Sequence, residues 1–452
     1  MKNMEKQKKG VSRREFLSAS LGTVASAAAI SMLSGRPLAA QTSPAKKRVV
    51  LVGTGIRGST LWGKTLIENY GDMLDMVGLC DNNTGRMSFA KRYMKAGCPT
   101  YRDTEFERMI AETKPDLVIV TTRDCYHAKY ICRAMELGCD VLTEKPMATD
   151  EAMCQQIVDT EKRTGRRVTV TFNYRYGPDA VKIKEVLLSG EIGQVTSVDF
   201  NYYLDIDHGA SYFRRWHAFK QFSGSLLVHK ATHHYDLMNW WLAAEPVQVN
   251  AWAELRKYGF NGTFRHSRCM DCPHKTTCSF YWDITRDPFL MKLYVEQESE
   301  DGYIRDACVF REKINIWDTM AVQVRYHNDV LMSYSLNAFM PYEGYFVAFN
   351  GTEGRLEARV YHNQPWKPAG LAEFRLTRNF KDSRTFNLGS GGGGHWGADP
   401  QMQDRIFRNS GPDTLSQNAG SRDGAMSILI GIAGRRSVER NRPVFIEELV
   451  TI

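Results

Sequence analysis

Beyond Leu33 the 452-residue sequence contains no apolar run long enough to cross a bilayer, so no transmembrane helix is predicted past that point. No cysteine lies near Ala40, so no lipoprotein anchor is expected there. A surplus of positive charge is also missing from most of the chain. Residues 1–40 carry seven Lys/Arg and two Asp/Glu, and so hold five of the eight net positive charges. The rest of the chain is nearly balanced, which gives nucleic-acid binding no support. Its length allows two domains.

What is present begins with an export pattern. Lys2, Lys6, Lys8, Lys9, Arg13 and Arg14 precede an apolar, small-residue stretch from Leu17 to Leu33, and Pro37-Leu38-Ala39-Ala40 reads as a cleavage site. Ser12-Arg13-Arg14-Glu15-Phe16-Leu17 resembles a twin-arginine signal, which carries folded proteins. Residues 1–40 are therefore expected to be a signal peptide. The expected partner during export is the twin-arginine translocon, and the expected location is the periplasm.

From residue 46 to 172, buried apolar runs alternate with helical patterns. Arg48–Thr54, Leu74–Cys80, Asp116–Thr122, Asp140–Thr143 and Arg167–Phe172 read as strands, with helices near 57–69, 84–96, 104–113, 126–137 and 150–164. That alternation predicts a doubly wound parallel sheet. Gly53, Gly55 and Gly58 fall where the first strand turns into the first helix, so the backbone can approach a pyrophosphate at a helix N-terminus. Asp81 ends the second strand, where a carboxylate pairs with ribose hydroxyls and repels a 2′-phosphate. NAD is favoured over NADP, although the cations Arg57 and Arg86 lie close by in sequence. An exported protein meets little free nicotinamide cofactor, so NAD is expected to stay tightly bound through turnover.

Several motifs carry a family resemblance. They are Thr121-Thr122-Arg123-Asp124-Cys125-Tyr126-His127, Val141-Leu142-Thr143-Glu144-Lys145-Pro146, Asn173-Tyr174-Arg175-Tyr176 and Gly190-Glu191-Ile192-Gly193. Ser223-Gly224-Ser225-Leu226-Leu227-Val228-His229-Lys230-Ala231-Thr232-His233-His234-Tyr235-Asp236 and Gly394-His395-Trp396-Gly397-Ala398-Asp399 complete the set. Over residues 46–452 the chain resembles the glucose–fructose oxidoreductase, inositol dehydrogenase and MocA (Gfo/Idh/MocA) family. The resemblance implies an α/β protein: an N-terminal Rossmann domain at 46–172, and at 173–452 an α+β domain with an open, mainly antiparallel sheet. That sheet often mediates oligomerisation, so a homodimer or homotetramer is implied. Val195–Leu204, Val247–Leu255, Met320–Tyr326 and Val330–Asn337 independently read as strands, with His327-Asn328-Asp329 as a hairpin turn.

Oxidation of a carbinol needs a base for the hydroxyl proton and a cation for the developing alkoxide. Lys145, at the carboxyl edge of the sheet, is the first candidate, and similar enzymes use this lysine at the reacting hydroxyl. His229, His233 and Asp236 are spaced to share one helical face. Family members usually carry Asp at position 229 to orient the histidine at 233; this chain has His229. His233 is the expected acid/base, with His229 as its neighbour or a substrate ligand; two histidines four apart also match metal-ligand spacing. The resemblance implies cofactor contacts from Gly53, Gly55, Ile56, Arg57, Gly58, Asp81, Thr122, His127, Glu144, Lys145 and Asn173. It implies substrate contacts from Tyr174, Arg175, Arg215, Trp216, Lys230, His395 and Asp399. The implied activity is oxidation of a ring hydroxyl, at C3, of a sugar or glycoside, with hydride return to a carbonyl acceptor. The alternatives are an NAD-dependent glycosidase working by transient C3 oxidation, and a non-catalytic sugar-binding protein.

The ten cysteines divide into two groups. Cys80, Cys98, Cys125, Cys132, Cys139 and Cys154 fall within elements of the first domain and read as small apolar groups. Cys269, Cys272 and Cys278 have C-x₂-C-x₅-C spacing inside an insertion at 256–312, with Cys308 near its end. Four thiolates suit a structural zinc ion. Two disulfides, an iron–sulfur cluster and free thiols remain open, with His266 and His274 as reserve ligands.

Overall fold

The computed structural model describes residues 45–367, 370–389, 397–408 and 411–452. The export segment and His395 lie outside the described residues.

Val49, Val50, Leu51 and Val52 are all buried. A run apolar on both faces belongs in the centre of a covered parallel sheet. That sheet comprises β1 (Lys47–Val52), β2 (Leu74–Asp81), β3 (Thr100–Arg102), β4 (Leu117–Val120), β5 (Asp140–Thr143) and β6 (Val168–Val170). Every pairing is parallel and the order is β3-β2-β1-β4-β5-β6. The doubly wound architecture is the expected one. Two details differ. β3 is only three residues long, too short to show a period. β4 and β6 end at Val120 and Val170, although the Thr121 and Thr171 N–H groups still donate to the Val52 and Thr143 carbonyls of the neighbouring strands. Strand order reverses between β1 and β4, which opens a crevice at the carboxyl ends of the strands. Gly53 sits there at φ +94°, and a Cβ on it would lie 2.7–2.8 Å from the Thr121–Thr122 backbone. No side chain is tolerated at that crossing.

The second sheet has nine strands: β7 (Val195–Asp205), β8 (Pro246–Glu254), β9 (Thr319–Tyr326), β10 (Leu331–Met340), β11 (Glu343–Gly351), β12 (Gly354–Asn363), β13 (Ala372–Arg378), β14 (Ser383–Leu388) and β15 (Val444–Phe445). Their order is β14-β13-β12-β11-β7-β10-β9-β8-β15, and β7–β10 is the one parallel pair of this sheet among the described residues. β9 alternates: Met320, Val322, Val324 and Tyr326 are buried, whereas Ala321, Gln323 and Arg325 are exposed. One face therefore packs and the other meets solvent. The hairpin between β9 and β10 turns at Asp329 (φ +61°), whose N–H donates to the Tyr326 carbonyl at 3.0 Å. The helix Ser421–Arg440 packs on β8 and on the helix Thr232–Leu242.

The insertion leaves the sheet after β8 and returns to it at β9. It carries its own small core of Ile284, Leu290, Leu293 and Tyr294. Phe289 docks that core on the first domain, 4.8 Å from the Tyr93 ring and 5.7 Å from that of Phe89. All ten cysteines are free thiols. The four of the insertion lie near enough that Cys269, Cys308 and Cys272 all act on the Cys278 thiol, but no three of their sulfurs come within 4.8 Å of one another. Among the described residues, the one trio of metal-type side chains with ligand atoms within 4.8 Å of one another is Asp205, His208 and Glu343. Other groups engage the sulfurs: Arg214 Nη1 donates to Cys269 Sγ at 3.0 Å, and the Phe310 N–H donates to Cys308 Sγ at 3.4 Å. The zinc site expected from the spacing thus finds no support in the geometry.

Candidate active site

The crevice at the β1–β4 reversal continues into the second domain as one cleft of about 870 Å³. Its floor is the glycine turn. Asp81 ends β2 beneath it, accepting from Thr54 N–H (2.6 Å), Thr54 Oγ1 (2.8 Å) and Asn83 N–H (2.9 Å). Gly55 and Ile56 line the cleft, while Gly58 lies below, where a Cβ would strike the Gly53 carbonyl at 2.1 Å. This cradle fits a dinucleotide: the glycines leave the room that side chains would fill, and Asp81 faces the same space.

Glu144 follows β5 and accepts from Arg57 Nε at 2.6 Å and Trp62 Nε1 at 2.7 Å. Arg57 in turn holds Asp399 through both terminal nitrogens at 3.2 Å, and Asn173 donates to the same carboxylate at 2.9 Å. Asp399 therefore lies behind Arg57 and Asn173 and does not line the cleft, which corrects the substrate role expected for it. Arg175 needs the same correction. Its guanidinium binds Asp236 at 2.6 and 2.9 Å, Asp423 at 2.9 Å and two carbonyls, and is buried behind the site. His127 and Thr122 line the cleft; the His127 ring bridges the Pro146 and Thr122 carbonyls.

The segment expected to be one helix is broken. A short helix, Leu226–His229, precedes a turn at Lys230-Ala231, and a second helix runs from Thr232 to Leu242. His229 and His233 both line the cleft, whereas Asp236 does not share their face and holds Arg175 instead. Just before the break, Ser225 has φ +85° and ψ 173°, a conformation that is almost confined to glycine.

The break turns His229 toward the first domain. Its Nδ1 lies 2.5 Å from Asp124 Oδ2, and Lys145 Nζ donates to its carbonyl at 3.2 Å. Asp124, His229 and Lys145 all line the cleft. Burial lowers the Lys145 ammonium to about 8, against the pull of Asp124 and Glu144. Burial, together with Lys145, Arg215 and Lys230, holds the His229 imidazole well below its ordinary value. Burial raises the Asp124 carboxyl well above the usual range, opposed by Lys145. Burial favours the neutral form of each partner, and the short contact holds the Nδ1 edge of the ring against Asp124. With Nδ1 committed to Asp124, Nε2 is the ring atom left to exchange a proton. Asp124 escaped identification as a functional residue, although it stands inside the motif Thr121–His127.

His233 lies beyond the break and stacks on Tyr174, with centroids 4.1 Å apart and planes at 14°. Lys230 donates to Tyr174 Oη at 3.3 Å and lies 3.7 Å from Glu343 Oε1. Glu343 also accepts from Tyr202 Oη and pairs with His208 Nδ1, each at 2.8 Å. Burial opposes the charge on Lys230, but Tyr174, Tyr212 and Glu343 outweigh it and raise the ammonium above its ordinary value. Arg215 and Trp216 complete this wall; Trp216 stacks on His217 at 3.6 Å. Tyr212, His208, Glu343, His362 and Asn363 were not foreseen. They come from β11, β12 and the helix Ile206–Arg214, and no local pattern links them.

A doubly wound sheet with a glycine turn at its switch point, closed over by a second open-sheet domain, defines a two-domain dinucleotide-binding class. Comparisons narrow it. The pattern of the oxidoreductase family with an NAD-binding Rossmann fold matches residues 47–172, and that of the family's C-terminal α/β domain matches residues 184–370. YteT of Bacillus subtilis (strain 168) is 37% identical over 424 residues, covering 89% of this chain and 98% of that protein. D-glucoside 3-dehydrogenase of Escherichia coli (strain K12) is 27% identical over 123 residues, 27% of this chain and 34% of that protein. The WlbA dehydrogenase of Bordetella pertussis, solved with NADH and UDP-GlcNAcA, superposes with a TM-score of 0.60 at 17% identity, over 89% of this chain and 99% of that one. The chain belongs to the Gfo/Idh/MocA family of NAD-binding oxidoreductases.

Proposed function

We propose that the protein oxidises a ring hydroxyl, at C3, of a sugar or glycoside and keeps its NAD bound while a second carbonyl compound takes the hydride back. The observation that carries this reading is the Asp124–His229 dyad beside Lys145 in the cleft floored by the glycine turn. NAD, when bound, supplies the hydride acceptor. In the form with Asp124 ionised and the ring proton on Nδ1, His229 Nε2 takes the hydroxyl proton, and the Asp124 carboxylate holds the ring in place and balances the imidazolium charge. The Lys145 ammonium stabilises the alkoxide. Reversal of the same steps protonates the acceptor's oxygen, so no proton or hydride is left over. Beyond this centre, Tyr174, Lys230, Glu343, His208 and Asn363 offer donors and acceptors beside aromatic faces, the lining that a polyhydroxylated ring requires. The dehydrogenase that acts on D-glucosides at position 3 supports the substrate class.

The test is incubation of the purified protein with assorted glycosides and a carbonyl acceptor, without added NAD, followed by mass spectrometry. Keto-sugar in excess of the protein is the expected product. Free sugar and aglycone without keto-sugar would point to the glycosidase instead, and no product at all would overturn both. Export by the twin-arginine route to the periplasm belongs to the same reading: Arg13→Lys with Arg14→Lys should leave precursor inside the cell, and normal processing of that variant would refute it. The solvent-facing side of β9 and β10 is the proposed contact for a second copy; a monomer mass by light scattering would exclude it.

A further inference from the structure

The tip of the insertion reaches back across the chain to the cofactor cradle. Tyr294 Oη accepts from the Ile56 N–H of the glycine turn at 2.8 Å. The Gln297 carbonyl accepts from Asn83 Nδ2 at 2.8 Å. Glu300 accepts from the Thr84 and Gly85 N–H groups at 2.6 and 2.8 Å, at the start of the helix that follows Asp81. The approach is close: a Cβ on Gly85 would lie 1.9 Å from Gln297 Oε1 and 2.9 Å from Glu300 Oε1. Asp301 Oδ2 accepts from Arg86 Nη2 at 2.8 Å, and Arg86 Nη1 lies 3.7 Å from Asp81. Both Arg86 and Asp301 are nearly buried at the side chain, at 8% and 5% exposure. Tyr294, Glu300 and Asp301 line the same cleft as Gly55 and Asp81.

We infer that residues 294–301 form a clasp over the adenosine half of the cofactor site, which slows dinucleotide release and makes the site selective for NAD. The inference rests on the NAD-retaining function proposed above. Retention follows from position: a dinucleotide lying between the glycine turn and Asp81 leaves only when the tip lets go of Ile56, Asn83, Thr84 and Gly85. Selectivity follows from Asp301. Arg86 is the cation best placed to receive a 2′-phosphate, and Asp301 holds its guanidinium against Asp81, which itself disfavours phosphate. The insertion thus adds a second determinant of cofactor choice to the acidic end of β2.

NADH and NADPH fluorescence on the full-length protein tests this. Bound NADH is chased with excess NAD, and affinities are measured by titration. Loss of the hydrogen bonds that Tyr294 and Glu300 accept from Ile56, Thr84 and Gly85, in Tyr294→Phe/Glu300→Ala, should speed NADH release roughly tenfold or more. Asp301→Asn should raise affinity for NADPH relative to NADH by about the same factor, a shift in ratio that general loosening of the fold would not produce. Tyr294→Phe alone, the milder change, keeps the test open if the double variant fails to fold. Release within about twofold of wild type in folded clasp variants, or an unchanged NADH/NADPH ratio in Asp301→Asn, would overturn the clasp alone. Wild-type protein that binds neither nucleotide would overturn the NAD-retaining function, and the clasp with it.

Discussion

Two buried carboxylates near the broken helix contrast sharply. Asp236, inside the helix Thr232–Leu242, holds the Arg175 guanidinium through both oxygens, and Arg175 fills its other donors with Asp423 and backbone carbonyls. Asp124, on the other side of the break, makes one short contact to His229 in a wall of the cleft and sits within the field of a lysine lowered to about 8. Both belong to acid–base pairs taken out of water. The first is complete and has nothing left to offer. The second leaves a ring nitrogen and an ammonium facing open space. A buried acid–base pair reads as a functional group only where some of its bonding capacity still points at a cavity.

The contrast should appear most strongly in kinetics. Lys145→Ala and His229→Ala should each lower turnover by roughly 10²- to 10⁴-fold, the usual cost of losing acid/base or charge assistance, while leaving NAD bound. Steady-state turnover, with nucleotide content measured after denaturation, checks both halves. His233→Ala sharpens the assignment: a loss as large as that of His229→Ala would place the acid/base at His233 and reduce His229 to its neighbour.

The complementary change is Asp236→Ala. Removing the bidentate partner leaves Arg175 only Asp423 and two backbone carbonyls, at a cost of up to about 3–5 kcal/mol. The expected result is a lower denaturation midpoint, with the folded fraction still turning over. A fall in turnover at unchanged stability would show that Asp236 belongs to the chemistry.

A smaller effect separates the two pairs by pH. Burial lowers the Lys145 ammonium to about 8, and its charged form is the one that stabilises the alkoxide. Turnover should therefore fall as pH rises through about 8. A rate that climbs through the same interval would make Lys145 the proton acceptor instead.

The first domain was largely legible in the sequence because its strands are continuous buried runs and its glycines mark the one crossing that admits no side chain. β3 was missed because three residues carry no period. The site was legible by residue but not by partner. Helical spacing put His229 with Asp236, yet the break at Lys230-Ala231 and the pull of Arg175 part them. The true partner of His229 lies 105 positions away, and Tyr294 lies 238 positions from the backbone group it meets. No local pattern encodes such pairs. Likewise the Cys-x₂-Cys spacing pointed to a structural metal within the insertion, whereas the insertion's contacts with the cofactor cradle come from residues 294–301 and follow no motif.

The role of the Asp124–His229 dyad is tested most directly by single-turnover reduction of the bound nicotinamide, followed by its absorbance after mixing with a reactive glycoside. Wild type and Asp124→Asn should hold the same amount of NAD. The amide cannot balance a proton taken up by His229, so the variant should reduce its nicotinamide roughly 10²-fold or more slowly. Equal rates at equal occupancy would contradict the assignment of this dyad as the proton acceptor.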